Sequence, residues 1–197
     1  MSPGTRVRFY TATTLNGFLA DDEDSLDWLF AVPNGDSPGD GFGEFMDTVG
    51  VLVMGSTTYE WVVSYESLRE QPERWRDLHG DRPTFVFSSR PEVRALPGVD
   101  IRVVSGHVSE HWPAIEEAAG GLDVWLVGGG DLVGQFDDAG HLDELMISVA
   151  PATLPSGRPL LPRRIGSDRL ELVRVGQAGQ FAELTYRVRR APTPPTK

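Results

Sequence analysis

Short apolar runs that end in glycine or serine constrain the fold of this chain more than any other feature of its sequence. The runs are VGVLVMGS, PTFVFSS, VDIRVVSG and DVWLVGGG, and the alternating segment RVRFYTATT precedes them. Continuous apolar runs of this length are typical of strands that are buried on both faces, and such strands are usually parallel. Helical patterns separate the runs. The sequence therefore predicts a three-layer α/β domain with a mostly parallel central sheet.

The predicted helices cover 40–49, 57–68, 109–119 and 131–140, with Asp40 and Ser109 as candidate caps. Further along, the segments LDELMISVA, LELVRVGQAG and FAELTYRVRR predict strands, the last two as an antiparallel hairpin. The Gly/Pro-rich stretches 32–41 and 151–162 predict surface loops. Because no linker divides the chain, we expect one domain over residues 1–190 and a disordered tail over 191–197.

Composition excludes several kinds of chemistry. The chain has no cysteine, which rules out disulfides, thiolate catalysis and cysteine metal sites. Its only lysine is Lys197, so a Schiff-base lysine, a phosphate-loop lysine and a Tyr-x-x-x-Lys relay are excluded. A net charge of −11 argues against a nucleic-acid partner. With no segment typical of a signal peptide or a membrane span, we expect a cytoplasmic protein that binds no membrane.

The segment VWLVGGGDLVGQF, residues 124–136, carries a predicted strand through three glycines into a predicted helix. Backbone amides and the helix dipole at such a junction favour a phosphate, and ligands of open α/β sheets bind at the carboxyl ends of strands. The spacing Gly128-x-Gly130-x-x-x-Gly134 differs from the dinucleotide fingerprint. A plain tight turn is the alternative, and Asp131 could cap the same amides.

Four segments together, TLNGFLA, VLVMGSTTYE, FVFSSR and VWLVGGGDLVGQF, resemble the dihydrofolate reductase-like superfamily. Within it, the match is to the group related to the C-terminal reductase domain of the riboflavin-pathway deaminase/reductase. The resemblance runs from about Arg8 to about Arg189. It implies a dihydrofolate reductase-like α/β/α fold with a mostly parallel sheet and antiparallel C-terminal strands. It also implies NADPH as the cofactor and a homodimer.

The resemblance further implies which residues bind the cofactor. The pyrophosphate would meet Gly128, Gly129 and Gly130, with Asp131 and Leu132 beside it. The ribose and phosphates would lie over Gly55, Ser56 and Thr58, and the adenosine 2′-phosphate would be surrounded by Ser88, Ser89 and Arg90. A mobile loop containing Leu15, Asn16 and Gly17 would close over the nicotinamide.

The chain departs from the family pattern at two of these positions. Many relatives carry arginine where this chain has Ser56, which leaves Arg90 to contact the 2′-phosphate and leaves the choice between NADPH and NADH open. Relatives often carry aspartate where this chain has Asn16. Among the acidic residues of DDEDSLDWL, Asp27 is the candidate proton donor, and a solvated helix carboxylate is the alternative.

The resemblance implies an NADPH-dependent reductase of a small heterocyclic or sugar-derived substrate. Hydride would pass from the nicotinamide to a C=N or C=O bond, as in 5-amino-6-(5-phosphoribosylamino)uracil reductase or dihydrofolate reductase. The alternative is a nucleotide-binding module of the same fold with little or no turnover. We expect no metal, because His107 and His111 lack a third ligand and the H-E-x-x-H context of zinc enzymes.

Overall fold

An eight-stranded mixed sheet forms the centre of the protein, in the order β5-β4-β3-β6-β1-β7-β10-β9. The computed structural model describes residues 4–33 and 41–190. The strands are β1 (Val7–Thr14), β2 (Phe18–Ala20), β3 (Val49–Gly55), β4 (Thr84–Phe87), β5 (Ile101–Val104), β6 (Asp123–Gly128), β7 (Leu142–Ala150), β8 (Arg158–Pro159), β9 (Leu170–Ala178) and β10 (Phe181–Val188). Neighbours from β5 to β7 pair in parallel, whereas β10 pairs antiparallel with β7 and β9. The predicted mostly parallel sheet with antiparallel C-terminal strands is confirmed.

Helices cover both faces of this sheet. They are α1 (Asp27–Phe30), α2 (Phe42–Asp47), α3 (Ser56–Tyr65), α4 (Arg74–His79), α5 (Val108–Ala119) and α6 (Gly130–Asp138). One apolar core joins α5 and α6 to the sheet, and a second joins α2, α3 and α4 to its other face. The predicted three-layer architecture is therefore confirmed. Within the described part of the chain, no helix has both the length and the apolar character that crossing a bilayer requires.

The alternation of side chains along β3 shows why the sheet needs both layers. Val51 and Val53 pack in the core beneath α5 and α6, whereas Leu52 and Met54 pack in the core beneath α3 and α4. All four side chains are fully buried. Successive residues of a strand point to opposite faces, so a continuous apolar run is stable only where both faces are covered.

The structure differs from the sequence prediction at several elements. Helix α5 begins at Val108 with the extended residue His107 as its N-cap, so Ser109 lies inside the helix and was wrongly predicted as the cap. Short α4 and the two-stranded sheet of β2 and β8 were not predicted. The predicted cap Asp40, most of the predicted loop 32–41 and the predicted tail 191–197 lie outside the described residues.

Strands β3 and β6 are neighbours whose connections leave on opposite faces of the sheet. Helix α3, which follows β3, packs on one face, and α6, which follows β6, packs on the other. Such a switch opens a crevice outside the carboxyl ends of the two strands, where α/β proteins bind their ligands. The topology alone therefore places a candidate site beside Gly55 and Gly128.

The side chain of His79, at the end of α4, offers a test of this packing. Both ring nitrogens are shielded from solvent and have no hydrogen-bond partner among the described residues, and the ring lies 4.4 Å from that of Trp75. Burial, with a smaller contribution from the charge of Arg82, lowers the pKa of His79 from 6.5 to about 4. The folded protein therefore favours the neutral ring.

We predict that this histidine makes the protein less stable as the pH falls from about 6.5 towards 4. The unfolded chain binds a proton in this range while the folded chain does not, so the free energy of unfolding decreases. Between pH 7 and pH 5 the loss should be about 2 kcal/mol larger in the parent than in His79→Phe. Urea unfolding of both proteins at the two pH values measures the difference, and identical pH dependence would contradict it.

Candidate functional site

Two helices begin with glycine at the carboxyl ends of β3 and β6. Gly55 precedes α3 and Gly129 precedes α6, both with extended backbone and without a side-chain cap. A Cβ atom added to Gly55 would lie 3.8 Å from the amide nitrogen of Gly129, so the two helix N-termini meet. Uncapped amides and two helix dipoles at one point make a favourable position for an anion.

A cleft of about 700 Å³ opens over these helix N-termini. Ten of the predicted cofactor-binding residues line it: Gly55, Ser56, Thr58, Ser88, Ser89, Gly128, Gly129, Gly130, Asp131 and Leu132. They come from the ends of β3, β4 and β6, which are separate in sequence and adjacent in the sheet. The structure therefore brings together the strand ends that the sequence singled out.

The remaining predicted residues lie outside the lining of the cleft. Leu15, Asn16 and Gly17 join the segment around residue 154, because the side-chain amide of Asn16 donates to the carbonyl of Leu154 (2.7 Å) and its oxygen accepts from the Leu154 amide (3.2 Å). Asp27 begins the predicted short helix α1 but is exposed. Arg90 is also exposed and is paired with Glu60 at 2.6 Å.

The two later glycines of Gly128-Gly129-Gly130 have different surroundings. A Cβ atom on Gly130 would collide with the carbonyl oxygens of Leu160 and Pro159, the latter at 2.5 Å, so the protein's own packing requires glycine there. A Cβ atom on Gly129 would meet nothing within 4 Å. Gly129 has an ordinary φ of −85°. Neither its backbone φ nor its surroundings therefore require glycine at this position, and its lack of a side chain leaves space on the cleft side. The peptide bond between Gly128 and Gly129 is cis.

The carboxylate of Asp131 does not cap the amides of α6. It accepts hydrogen bonds from the side chain of Gln135 (3.0 Å), one turn further along the helix, and lies 3.0 Å from the guanidinium of Arg163. The bond from Gln135, together with Arg163, holds the pKa of Asp131 below its usual range. The sequence alternative that Asp131 occupies the anion position is therefore not what the structure shows.

Apolar and aromatic side chains form the other half of the cleft. They come from β1, β2, α1 with its N-cap residue, and α3, and comprise Ala12, Leu19, Ala20, Leu26, Trp28, Leu29 and Trp61. Trp28 is 9% exposed, and its indole N–H has no hydrogen-bond partner among the described residues. The sequence analysis missed Trp61, which no motif marks.

One ion pair stands at the rim of this apolar half. Asp24 accepts hydrogen bonds from Nε (2.6 Å) and Nη2 (3.3 Å) of Arg158, and both residues line the cleft. Strand β8, which carries Arg158, pairs with β2 through Pro159 and Phe18. The predicted loop 151–162 therefore does contribute to this side of the cleft.

The histidines singled out by the sequence serve the fold. A hydrogen bond of 2.8 Å joins Nε2 of His111 to the carbonyl of Ser105, and His107 occupies the N-cap position of α5 without a side-chain capping bond. Across residues 4–33 and 41–190, no group of three His, Asp or Glu side chains is arranged to hold a metal ion.

Comparison with curated proteins gives relatives with no assigned activity. No protein-family model matches the chain. The uncharacterized protein YwjB of Bacillus subtilis is 28% identical over 188 residues, which cover 90% of this chain and 94% of that protein. The uncharacterized protein YyaP of the same organism is 26% identical over 161 residues, 79% of each.

Solved structures share the fold. A protein of Shewanella sp. PV-4 with a provisional riboflavin-biosynthesis name has a TM-score of 0.75 and 26% identity, covering 94% of this chain and 100% of that one. RibD of Acinetobacter baumannii has a TM-score of 0.63 and 15% identity, covering 94% of this chain and 58% of RibD. Dihydrofolate reductase of Enterococcus faecalis, complexed with NADP(H), has a TM-score of 0.58 and 18% identity, covering 93% and 96%.

The chain has the fold of dihydrofolate reductase, with a crevice at the strand switch. More narrowly, the chain has the form of this fold that riboflavin-biosynthesis reductases of the RibD type contain. The fold that the resemblance implies is thereby confirmed.

The contrast between the two glycines gives a prediction. Gly130→Ala should destabilise the fold by about 1–3 kcal/mol, because its methyl group overpacks against backbone carbonyls. Gly129→Ala should change the free energy of unfolding by less than about 0.5 kcal/mol, because its methyl group enters open space. The same methyl group should weaken NADPH binding about tenfold or more.

Urea unfolding and calorimetric titration of both variants measure these two effects. A Gly129→Ala protein that binds NADPH as tightly as the parent would contradict the assignment of Gly129 to the ligand.

Proposed function

We propose that this protein is an NADPH-dependent reductase. One observation carries the proposal: two helix N-termini with glycine at the N-cap and no side-chain cap meet at the strand switch, beneath a cleft of about 700 Å³. Proteins hold the diphosphate of a dinucleotide with this combination of backbone amides and helix dipoles. The named reductases among the structural neighbours, RibD and dihydrofolate reductase, support the same reading.

The residues of the cleft fit such a cofactor. Gly129, with open space on its Cα, and the first turn of α6 would hold the pyrophosphate. Hydroxyl groups of Ser56, Thr58 and Ser88 line the adjoining part of the cleft and would bind ribose and phosphate oxygens. Backbone amides and hydroxyls, rather than basic side chains, would therefore make most of the contacts.

When bound, the reduced nicotinamide would supply a hydride. The chain itself positions the reacting groups and keeps water away from them. Trp28, Leu29 and Trp61 form apolar walls around the half of the cleft beyond the glycines, and these walls exclude water from the reacting atoms. Such walls fix the orientation of a flat substrate ring. Orienting the reacting groups is the main contribution of a protein to hydride transfer.

The substrate of the proposed reaction is a small heterocyclic or sugar-derived compound with a C=N or C=O bond. The aromatic walls suit a planar ring, and the Asp24–Arg158 pair offers both an acceptor and donors at the rim. A structural neighbour from Thermotoga maritima is a combined deaminase and 5-amino-6-(5-phosphoribosylamino)uracil reductase, with a TM-score of 0.63 and 14% identity. Its substrate illustrates this chemical class.

The proton that accompanies the hydride has two candidate sources, Asp27 and water. Asp27 is exposed and does not line the cleft. Asp24 lines it, but both of its carboxylate oxygens accept from Arg158. We therefore propose that water delivers the proton, because Asp27, the donor predicted from the sequence, lies outside the lining of the cleft.

A nucleotide-binding module without turnover is the second candidate function. The observation that favours it is the same paired state of Asp24, which leaves the apolar half of the cleft without an unpaired carboxylate among the described residues. Such a module would bind the dinucleotide and use it for no reaction.

The expected homodimer is also a proposal. Strand β9 is one of the two edge strands of the described sheet, and its side chains of Leu172, Val173 and Val175 are exposed. Exposed apolar residues on an edge strand are typical of an interaction surface. Sedimentation equilibrium tests this, and a monomer at every concentration would contradict it.

Turnover separates the reductase from the binding module. We predict that the protein consumes NADPH, seen as loss of the near-ultraviolet absorbance of the reduced nicotinamide, with at least one compound from a panel of dihydropterins, aminopyrimidines and sugar lactones. Trp61→Ala should lower turnover at least tenfold while leaving NADPH binding within about threefold, because it opens the substrate half of the cleft to water. Tight NADPH binding without turnover on any compound would favour the module.

A further inference from the structure

The guanidinium predicted to meet the adenosine 2′-phosphate is already held by a carboxylate. Nη2 of Arg90 lies 2.6 Å from Oε2 of Glu60. Arg90 follows the cleft-lining residues Ser88 and Ser89, and Ser88 fixes the turn by accepting a hydrogen bond from the Arg90 amide at 2.9 Å. The ion pair therefore stands directly beside the adenosine end of the cleft.

Glu60 does not line the cleft itself, but it follows cleft-lining residues on α3. It lies four residues after Ser56 on α3, and residues at this spacing occupy one face of a helix. Ser56 lines the cleft. Ser56 stands where many relatives carry arginine, and Glu60 follows it on the same face of the helix.

The guanidinium groups of the other arginines near the cleft are also paired with carboxylates. Arg158 is the one basic side chain among the described residues that line it, and Asp24 holds its guanidinium. Arg163 lies 3.0 Å from Asp131 and 2.9 Å from Asp138. A ligand with additional negative charge would thus find paired arginines in a chain whose net charge is −11.

We propose that Glu60 sets the dinucleotide preference of this cleft by holding Arg90 and lowering the advantage of NADPH over NADH. The inference rests on the proposed function, since it concerns the same cofactor site. A 2′-phosphate carries about two negative charges near neutral pH and needs an unpaired cation. A ribose 2′-hydroxyl can instead donate a hydrogen bond to a carboxylate, as in NAD-binding folds. The pair of Arg90 and Glu60 is neutral and admits both cofactors.

The test compares the binding of NADPH and NADH at low ionic strength. Calorimetry or quenching of tryptophan fluorescence measures the two dissociation constants. Low salt matters because exposed charges are screened over about 10 Å at 0.1 M. In the parent protein, the two dissociation constants should lie within about tenfold of each other. Glu60→Gln should tighten NADPH about fivefold to tenfold and change NADH less than about twofold, because Arg90 then meets the phosphate unopposed.

Two further variants sharpen the result. Arg90→Ala in the Glu60→Gln background should remove the gain in NADPH affinity, because the released guanidinium causes it. Glu66→Gln is the matched control: Glu66 follows the last residue of the same helix, pairs with Arg74 at 3.1 Å, and carries the same charge away from the cleft. This control should leave both dissociation constants within about twofold of the parent.

The possible failures are distinguishable. If both nucleotides bind and Glu60→Gln changes them equally, or if Glu66→Gln has the same effect, the role of Glu60 is refuted and the proposed cofactor site stands. If neither nucleotide binds the parent or any variant, the proposed function itself is refuted, and this inference with it.

Discussion

The meeting of two uncapped helix N-termini at the switch between β3 and β6 is the constraint on which the rest of the structure depends. It has glycine at the N-cap of each helix, Gly55 and Gly129, so no side chain at these positions covers the helix N-termini. It also requires helices on opposite faces of the sheet, and hence strands that are apolar on both faces. The meeting of the two helices thus constrains residues both in the apolar core and in the cleft.

A site built from amides and hydroxyls has its own electrostatic character. The arginines near the cleft are bound to carboxylates, so the groups there that favour an anion are the two helix N-termini rather than charged side chains. Backbone amides have fixed positions and cannot be neutralised by pH. A pyrophosphate suits such a site, whereas each further phosphate must compete with Glu60, Asp24 or Asp131 for an arginine.

Much of this arrangement was predictable, and the reason is local. Strand ends such as Ser88-Ser89 and the glycines at 128–130 can be recognised from residue type. Parallel topology then brings them to one edge of the sheet. The apolar half was not predictable. Trp61 reaches the cleft from the second turn of α3, and Arg158 reaches it through the short pairing of β8 with β2. Glu60, the partner of Arg90, lies thirty residues away in sequence, on helix α3, so only the fold shows that the charge of Arg90 is held.

A crystal structure of the protein with NADPH tests the central claim most directly. The account predicts that the diphosphate lies between the N-termini of α3 and α6, with its oxygens accepting hydrogen bonds from backbone amides around Ser56 and Gly130. A dinucleotide bound elsewhere on the sheet, or a diphosphate held by arginine side chains away from both helices, would contradict it.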